Sequence, residues 1–455
     1  MGDGHMKRVT LEATDENILN SISNNTYNRN DDVKDFIEAL DKIEGNIFIS
    51  LDGRWGEGKS FYIRQVELAL KYLVQKKWGN NKETVLARYF QNPIWKDIDL
   101  KHSCFPVYYN AWYYDNHDDP LLSLLYVILK QYSGFVDTKI DQATLKRKFI
   151  SILPGFSVSL NGIGSLSVES KKVYEDLKGK DIFEEILLVE EIRDKVKEIF
   201  DQMITENAER LVIIVDELDR CRPSYAVEVL ERIKHYFDDD RIIFIAAVNK
   251  EQLVHILKNY YGNSFDSTGY LNKFFDYNVY MPTLKTMCVN KINYNLTNRQ
   301  YYLSYISEEL ADYFKLTLRD YLIYEERINQ LPEKYVNDGS NSQFYLTLFV
   351  PLLIILDMKN QDDKERFLRG DVEVFEKYCT RLHSIRDHIC RLQKAAYRNE
   401  DDLECFKDCY EKVKSVYEVV FGDEDENKLY QKHKLEISSN LRELCIKLYN
   451  GFLKE

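Results

Sequence analysis

The eight residues Gly53-Arg54-Trp55-Gly56-Glu57-Gly58-Lys59-Ser60 fit the pattern G-x-x-x-x-G-K-[ST], and the apolar run from Asn46 to Leu51 stands directly before them. A strand, a glycine-rich loop and a helix should therefore follow one another. The helix is expected over about residues 61–77, where Ile63, Val66, Leu68, Leu70, Leu73 and Val74 recur near helical spacing. The loop then opens onto a helix N-terminus, whose free amides and dipole favour anions. Gly53, Gly56 and Gly58 lack a Cβ and let consecutive N–H groups wrap around a phosphate as a nest. Lys59 adds a positive charge for the β- and γ-phosphates, and the Ser60 hydroxyl suits a Mg²⁺ ion that keeps several waters. Arg54, Trp55, Glu57 and Phe61 complete the expected binding segment. A glycine-rich turn ahead of a structural helix is the plainer alternative; the agreement of strand, glycines and Lys-Ser weighs against it.

A phosphate cradle hydrolyses nothing by itself. A second metal contact and a water-activating group are expected at Asp216-Glu217-Leu218-Asp219-Arg220, which closes the continuous apolar run from Leu211 to Val215. Such a run reads as a parallel strand buried on both faces. Asp216 is then the Walker B carboxylate that joins Ser60 at the metal. Glu217 is expected on the opposite face of the strand end, where it would polarise a water in line with the γ-phosphate. Two acids marking a strand terminus is the structural alternative, and it loses ground because the upstream loop is present.

At 455 residues the chain has room for several domains, and its 44% hydrophobic and 30% charged content is that of a globular protein. The 62 basic and 75 acidic residues give a net charge of −13, which argues against a broadly basic nucleic-acid groove. Nucleic acid is thus an unfavoured partner. Of the eight cysteines only Cys405 and Cys409 lie close together, without the flanking histidines or second pair that zinc requires. Reduced, mostly buried thiols and a cytoplasmic location are expected. The apolar stretch from Phe344 to Leu356, about 13 residues with Pro351 inside it, falls short of the ~20 needed to span a bilayer and reads as a buried helix. No membrane association is expected.

Residues 1–30 are read as a tag remnant, from the His5-Met6 junction, followed by a polar leader wrapped on the surface. Residues 31–43 should form an amphipathic helix. Further strands are expected at Cys104 to Asn110, Arg241 to Val248 and Tyr277 to Met281, so that strands alternate with helical segments as in a parallel α/β sheet flanked by helices. The interval 120–207 is too long for one crossover and is expected to hold an insertion. Its helices would run from Pro120 to Tyr132 and from Ala143 to Leu153, and a hairpin would turn near Asn161-Gly162. The α/β domain would thus occupy 31–282, and residues 283–455 should form an all-α C-terminal domain.

With these landmarks together, the chain resembles the KAP-family P-loop NTPases, a branch of the STAND-like ASCE group. The resemblance rests on the Gly53–Ser60 motif with Trp55, on Asn110-Ala111-Trp112, on Asp216 to Arg220 continued by Cys221-x-Pro223, and on Tyr270-Leu271-x-Lys273-Phe274-Phe275 followed by Met281-Pro282. It spans roughly residues 31–330. It implies a Mg²⁺-dependent, ATP-hydrolysing switch that assembles with further copies or a partner protein; family members include bacterial phage-exclusion proteins and animal signalling scaffolds. Many members carry transmembrane helices between the two motifs and none is apparent here, while glutamate at 217 replaces the more usual aspartate. By position, Asn249 resembles a sensor for the γ-phosphate or its water, though an asparagine there also reads as a helix cap. Arg319 resembles a reporter on the nucleotide from the second domain, or is a solvated helix arginine. Arg220 and Arg222 could act as a finger on a neighbouring subunit; local pairing with Asp219 or Glu228 is the favoured alternative. A scaffold that binds ATP and hydrolyses it slowly or not at all is the competing function.

Overall fold

Apolar residues on both faces of successive strands leave little choice but a sheet covered on both sides by helices. The computed structural model describes residues 12–78, 85–135 (save 118), 193–282 (save 202 and 205–207), 301–331, 341–391 and 403–450 (save 439). The chain divides into two compact units, Leu11–Thr283 and Leu284–Glu455.

The first unit is built on five parallel strands: β1 (Ile47–Asp52), β2 (Cys104–Asn110), β3 (Arg210–Asp216), β4 (Ile242–Val248) and β5 (Tyr277–Tyr280). Their spatial order is β2-β3-β4-β1-β5, so β4 separates the strand that feeds the glycine loop from the strand that ends in Asp216. Side chains alternate between the two faces. Phe48, Val107, Ile213, Val215, Phe244 and Ala246 pack one way; Ile49, Leu51, Val212, Ile214, Ile243 and Ile245 pack the other.

The second of these faces is covered by α1 (Asp15–Asn24), α2 (Arg29–Asp41) and α3 (Lys59–Trp78). Ile18 and Ile22 of α1 are fully buried there, and Thr14 caps that helix by accepting a hydrogen bond from the Asn17 amide. The polar leader expected along the surface is therefore in part a core helix. Its short sequence hides two apolar residues four apart on one face, enough to dock it.

The opposite face is covered by α4 (Pro120–Phe135), the helical residues 193–201, α5 (Pro223–Tyr236), α6 (Lys250–Tyr261) and α7 (Ser267–Phe274). Leu121, Leu125 and Ile128 of α4, and Val196, Ile199 and Phe200 further on, are buried in the same cluster. Both ends of the interval read as an insertion thus belong to the domain core. The expected second helix and hairpin fall on residues 136–192, outside the described residues.

The second unit is helical among its described residues. Its elements are α8 (Tyr301–Tyr313), α9 (Leu318–Asn329), α10 (Asn341–Lys359), α11 (Gln361–Leu368), α12 (Val372–Cys379), α13 (His383–Cys390), α14 (Leu403–Phe421), α15 (Glu426–His433) and α16 (Leu441–Tyr449). Leu348, Phe349, Leu352, Leu353, Ile354, Ile355 and Leu356 of α10 have no exposed surface, so this helix is apolar all round because protein surrounds it. It runs 19 residues, longer than its apolar stretch suggests, and among the described residues it alone is long and apolar enough to cross a membrane by length and composition. Most of that span is buried inside the unit.

Phe244 carries much of the packing in the sheet unit, stacked on Phe48 at 5.0 Å and edge-on to Phe237 at 5.3 Å between ring centroids. Phe244→Ala should lower the stability of this unit by about 3–5 kcal/mol. Denaturant unfolding followed by circular dichroism would check it; a loss under about 1 kcal/mol would mean that the site collapses to fill the void.

Candidate nucleotide site

The glycine loop leaves β1 at Asp52, where the Gly53 amide bonds to the Val248 carbonyl (3.2 Å) and Asp52 accepts from the Lys250 amide (2.9 Å). The ends of β1 and β4 are thereby fixed to one another. Gly56 and Gly58 both have positive φ, +89° and +86°, which an L side chain rarely tolerates. A Cβ on Gly53 would come within 2.9 Å of Glu57 Oε2 and Met281 Cβ. The loop is braced internally, since Glu57 Oε2 accepts from the Arg54 amide at 2.8 Å. Among the described residues no hydrogen bond reaches the amides of Gly56, Gly58, Lys59 and Ser60. These are the donors that a nest and a helix N-terminus offer to a phosphate.

Lys59, buried at the start of α3, donates from Nζ to the carbonyls of Gly53 (2.6 Å) and Arg54 (3.2 Å). Burial pulls its ammonium pKa down, while the carboxylates of Asp219, Asp216, Glu217 and Glu57 pull it up. The Ser60 hydroxyl donates to Glu217 Oε1 at 3.1 Å and also touches Asp216. Asp216 is fully enclosed. It accepts from the Tyr108 hydroxyl (2.8 Å) and from the Glu217 amide (2.9 Å). Burial still dominates and raises its pKa, with Asp219 adding to the effect. Glu217 is likewise raised, by burial first and then by Asp216, against the pull of Arg220.

Glu217 does not lie on the far face of the strand end. Its backbone is left-handed (φ +62°, ψ +22°), which breaks strand alternation and brings its carboxylate to the same serine that Asp216 touches. The expected group Lys59, Ser60, Asp216 and Glu217 is therefore assembled in one place, with Gly53 to Phe61 forming the loop and first turn beneath it. Asn249 stands at the end of β4 as the cap of α6, its side chain accepting from the Gln252 amide at 3.3 Å. Arg319 is an exposed residue in the first turn of α9, in the helical unit. Arg220 pairs with Glu217 and Arg222 with Asp115 (2.9 Å), and the Arg222 charge also acts on Glu228, one of the local partners expected.

Two residues escaped sequence reasoning. Tyr108 reaches Asp216 because Tyr108 and Asn110 pair in register with Ile214 and Asp216, putting 108 and 216 on one face as diagonal neighbours. Only the register reveals that. Asp219, also buried, accepts from Trp55 Nε1 (2.7 Å) and from the Asn249 amide (3.0 Å), so it joins the glycine loop to the end of β4. The Asp-Glu-x-Asp spacing was a visible signal, but its partners were not.

A model of the KAP family P-loop domain matches residues 30–335, more than half of the chain. The chain belongs to the KAP family. No curated protein matches it. A solved structure, that of the Aeropyrum pernix ORC2 protein in ADPNP–ADP complexes, aligns over 95% of this chain and 93% of its own, with 12% identity and a TM-score of 0.33. A superposition that loose carries no argument. The family match establishes a P-loop nucleotide-binding domain of the NTPase class and leaves the chemistry to the site itself.

The donor set fits a hard divalent ion. Ser60 and Asp216 offer oxygens of the kind Mg²⁺ takes, beside a second carboxylate and a lysine that anchors phosphate charge. Because the folded Asp216 binds its proton more tightly than an ordinary aspartate of pKa 3.8, protons should compete with metal at unusually high pH. Mg²⁺-dependent nucleotide affinity should therefore fall toward acid, approaching tenfold per pH unit below the raised value. Titration calorimetry over a descending pH series would show it, with Asp216→Asn reporting the nucleotide's own protonation; equal slopes in both proteins would refute the assignment.

Proposed function

We propose that this KAP protein is a Mg²⁺-dependent nucleoside triphosphate hydrolase, with ATP as its nucleotide, that uses turnover to switch conformation or assembly. The observation that carries the reading is the meeting of Ser60, Asp216 and Glu217 at the start of α3, directly beside Lys59. The amides of Gly56, Gly58, Lys59 and Ser60 would bind the phosphates, and Lys59 would leave the carbonyls of Gly53 and Arg54 to reach them. Ser60 and Asp216 would hold the metal. When bound, Mg²⁺ would neutralise charge on the β- and γ-oxygens. Glu217, its pKa raised by burial, orients the attacking water and takes its proton. Asn249, at the end of β4, is proposed as the sensor of that water, and Arg319 as a reporter from the helical unit.

Lys59 and Glu217 are both engaged by their own chain, the one by loop carbonyls and the other by Ser60 and Arg220. These contacts, which nucleotide and metal would have to displace, support the second reading, a nucleotide-gated scaffold. The family resemblance supports a cytoplasmic protein acting in bacterial anti-phage defence, with another copy or a partner protein receiving the signal. The net charge of −13 disfavours nucleic acid as that partner.

Glu217→Gln should retain nucleotide binding and lose about 10²–10⁴-fold in turnover, measured as phosphate release. Unchanged turnover would remove Glu217 from the role. A single burst of product equal to the protein present, with no steady state, would favour the scaffold.

A further inference from the structure

Arg220 follows the Walker B strand on a short turn, Leu218–Arg220, and its guanidinium forms an ion pair with Glu217. The same guanidinium lies over the ring of Trp112, 5.6 Å from Cζ to centroid. Trp112 begins the turn after β2, and the amide of Ala111 just before it bonds to the Asp216 carbonyl at 2.9 Å. Arg220 is thus held between a carboxylate and an aromatic face, the two surfaces a planar guanidinium prefers. Arg222 is committed elsewhere, with its Nε 2.9 Å and its amide 3.1 Å from the Asp115 carboxylate.

Glu217 depends on such a clamp. Its left-handed backbone is a conformation that a glutamate rarely adopts, so strand geometry does not aim its side chain; one oxygen is set by Ser60 and the other by Arg220. The Ser60 contact is the one a metal would claim. Arg220 then remains as the fixed partner.

We infer that Arg220, seated on Trp112, is the positioning residue for Glu217: it holds the carboxylate in place when Ser60 turns to the metal. This role rests on the hydrolytic reading above. The charged groups around Glu217 are Asp216 and Asp219 from the same segment, which disfavour its ionised form, together with Lys59 from α3 and Arg220. Arg220 is the cation paired directly with it. The thiol of Cys221 reaches only the Glu217 backbone carbonyl, at 3.6 Å.

The test is steady-state ATP turnover by the full chain and its variants. Arg220→Ala should lower kcat about tenfold as the orientation of Glu217 is lost, with KM for ATP changed less than about twofold. Arg220→Lys should restore only part of kcat, since the ammonium keeps the charge but not the fork or the stacking. Should Arg220→Ala fail to fold, Arg220→Gln carries the same expectation. An unchanged kcat would overturn the role, as would turnover regained on mixing Arg220→Ala with Lys59→Ala copies, which is the behaviour of a finger acting between subunits. Absence of turnover in the unaltered protein would instead sink the hydrolytic reading, and this role with it.

Discussion

Enclosing Asp216 at the carboxyl end of β3 is the constraint on which the rest of the sheet unit depends. A carboxylate removed from water is expensive unless donors surround it. Here the Tyr108 hydroxyl from β2 and the amide of Glu217 supply them, and the Ser60 hydroxyl from α3, whose proton goes to Glu217, lies against the carboxylate. Each of those contacts requires a particular arrangement. Tyr108 needs the β2–β3 register, the Glu217 amide needs the left-handed turn, and Ser60 needs the glycine loop to deliver α3 to that spot. The pKa of Asp216 stays raised despite them. The fold therefore holds an incompletely compensated negative charge at the point where a divalent cation would neutralise it.

That charge is not isolated. Asp216, Glu217 and Asp219 all act on the buried Lys59 ammonium, with Asp219 the strongest of them. Asp219 in turn accepts from the indole of Trp55 and from the amide of Asn249. The loop, the Walker B turn and the end of β4 are consequently tied through one carboxylate.

Much of this was legible in the sequence. The strands were announced by continuous apolar runs such as Leu211 to Val215, because parallel strands covered on both faces need no polar alternation. The glycine loop, Lys59, Ser60 and Asp216 were legible because their chemistry allows few substitutes. What stayed hidden depends on pairings between distant segments. The order that puts β4 between β1 and β3 leaves no mark on any one strand, and the Tyr108–Asp216 contact follows only from register. The direction of Glu217 was misread because period-two alternation was carried one residue past the end of the strand, into a left-handed turn. The leader was misread for the opposite reason: α1 is mostly polar, and only Ile18 and Ile22 show that it docks.

The left-handed conformation at residue 217 also bears on why a side chain as long as glutamate's meets Ser60 from this position. An extended residue would send its side chain away from Ser60, as the alternation of β3 dictates. The turn reverses that direction but leaves the backbone at the edge of the cluster, so a longer side chain is useful to regain the serine. Glu217 spans the gap, and its second oxygen remains available to Arg220. An aspartate on the same backbone would be one methylene short of holding both contacts at once. Side-chain length, backbone hand and the arginine three residues on are therefore a single solution to one geometric problem, and a change in any one of them should be felt through the other two.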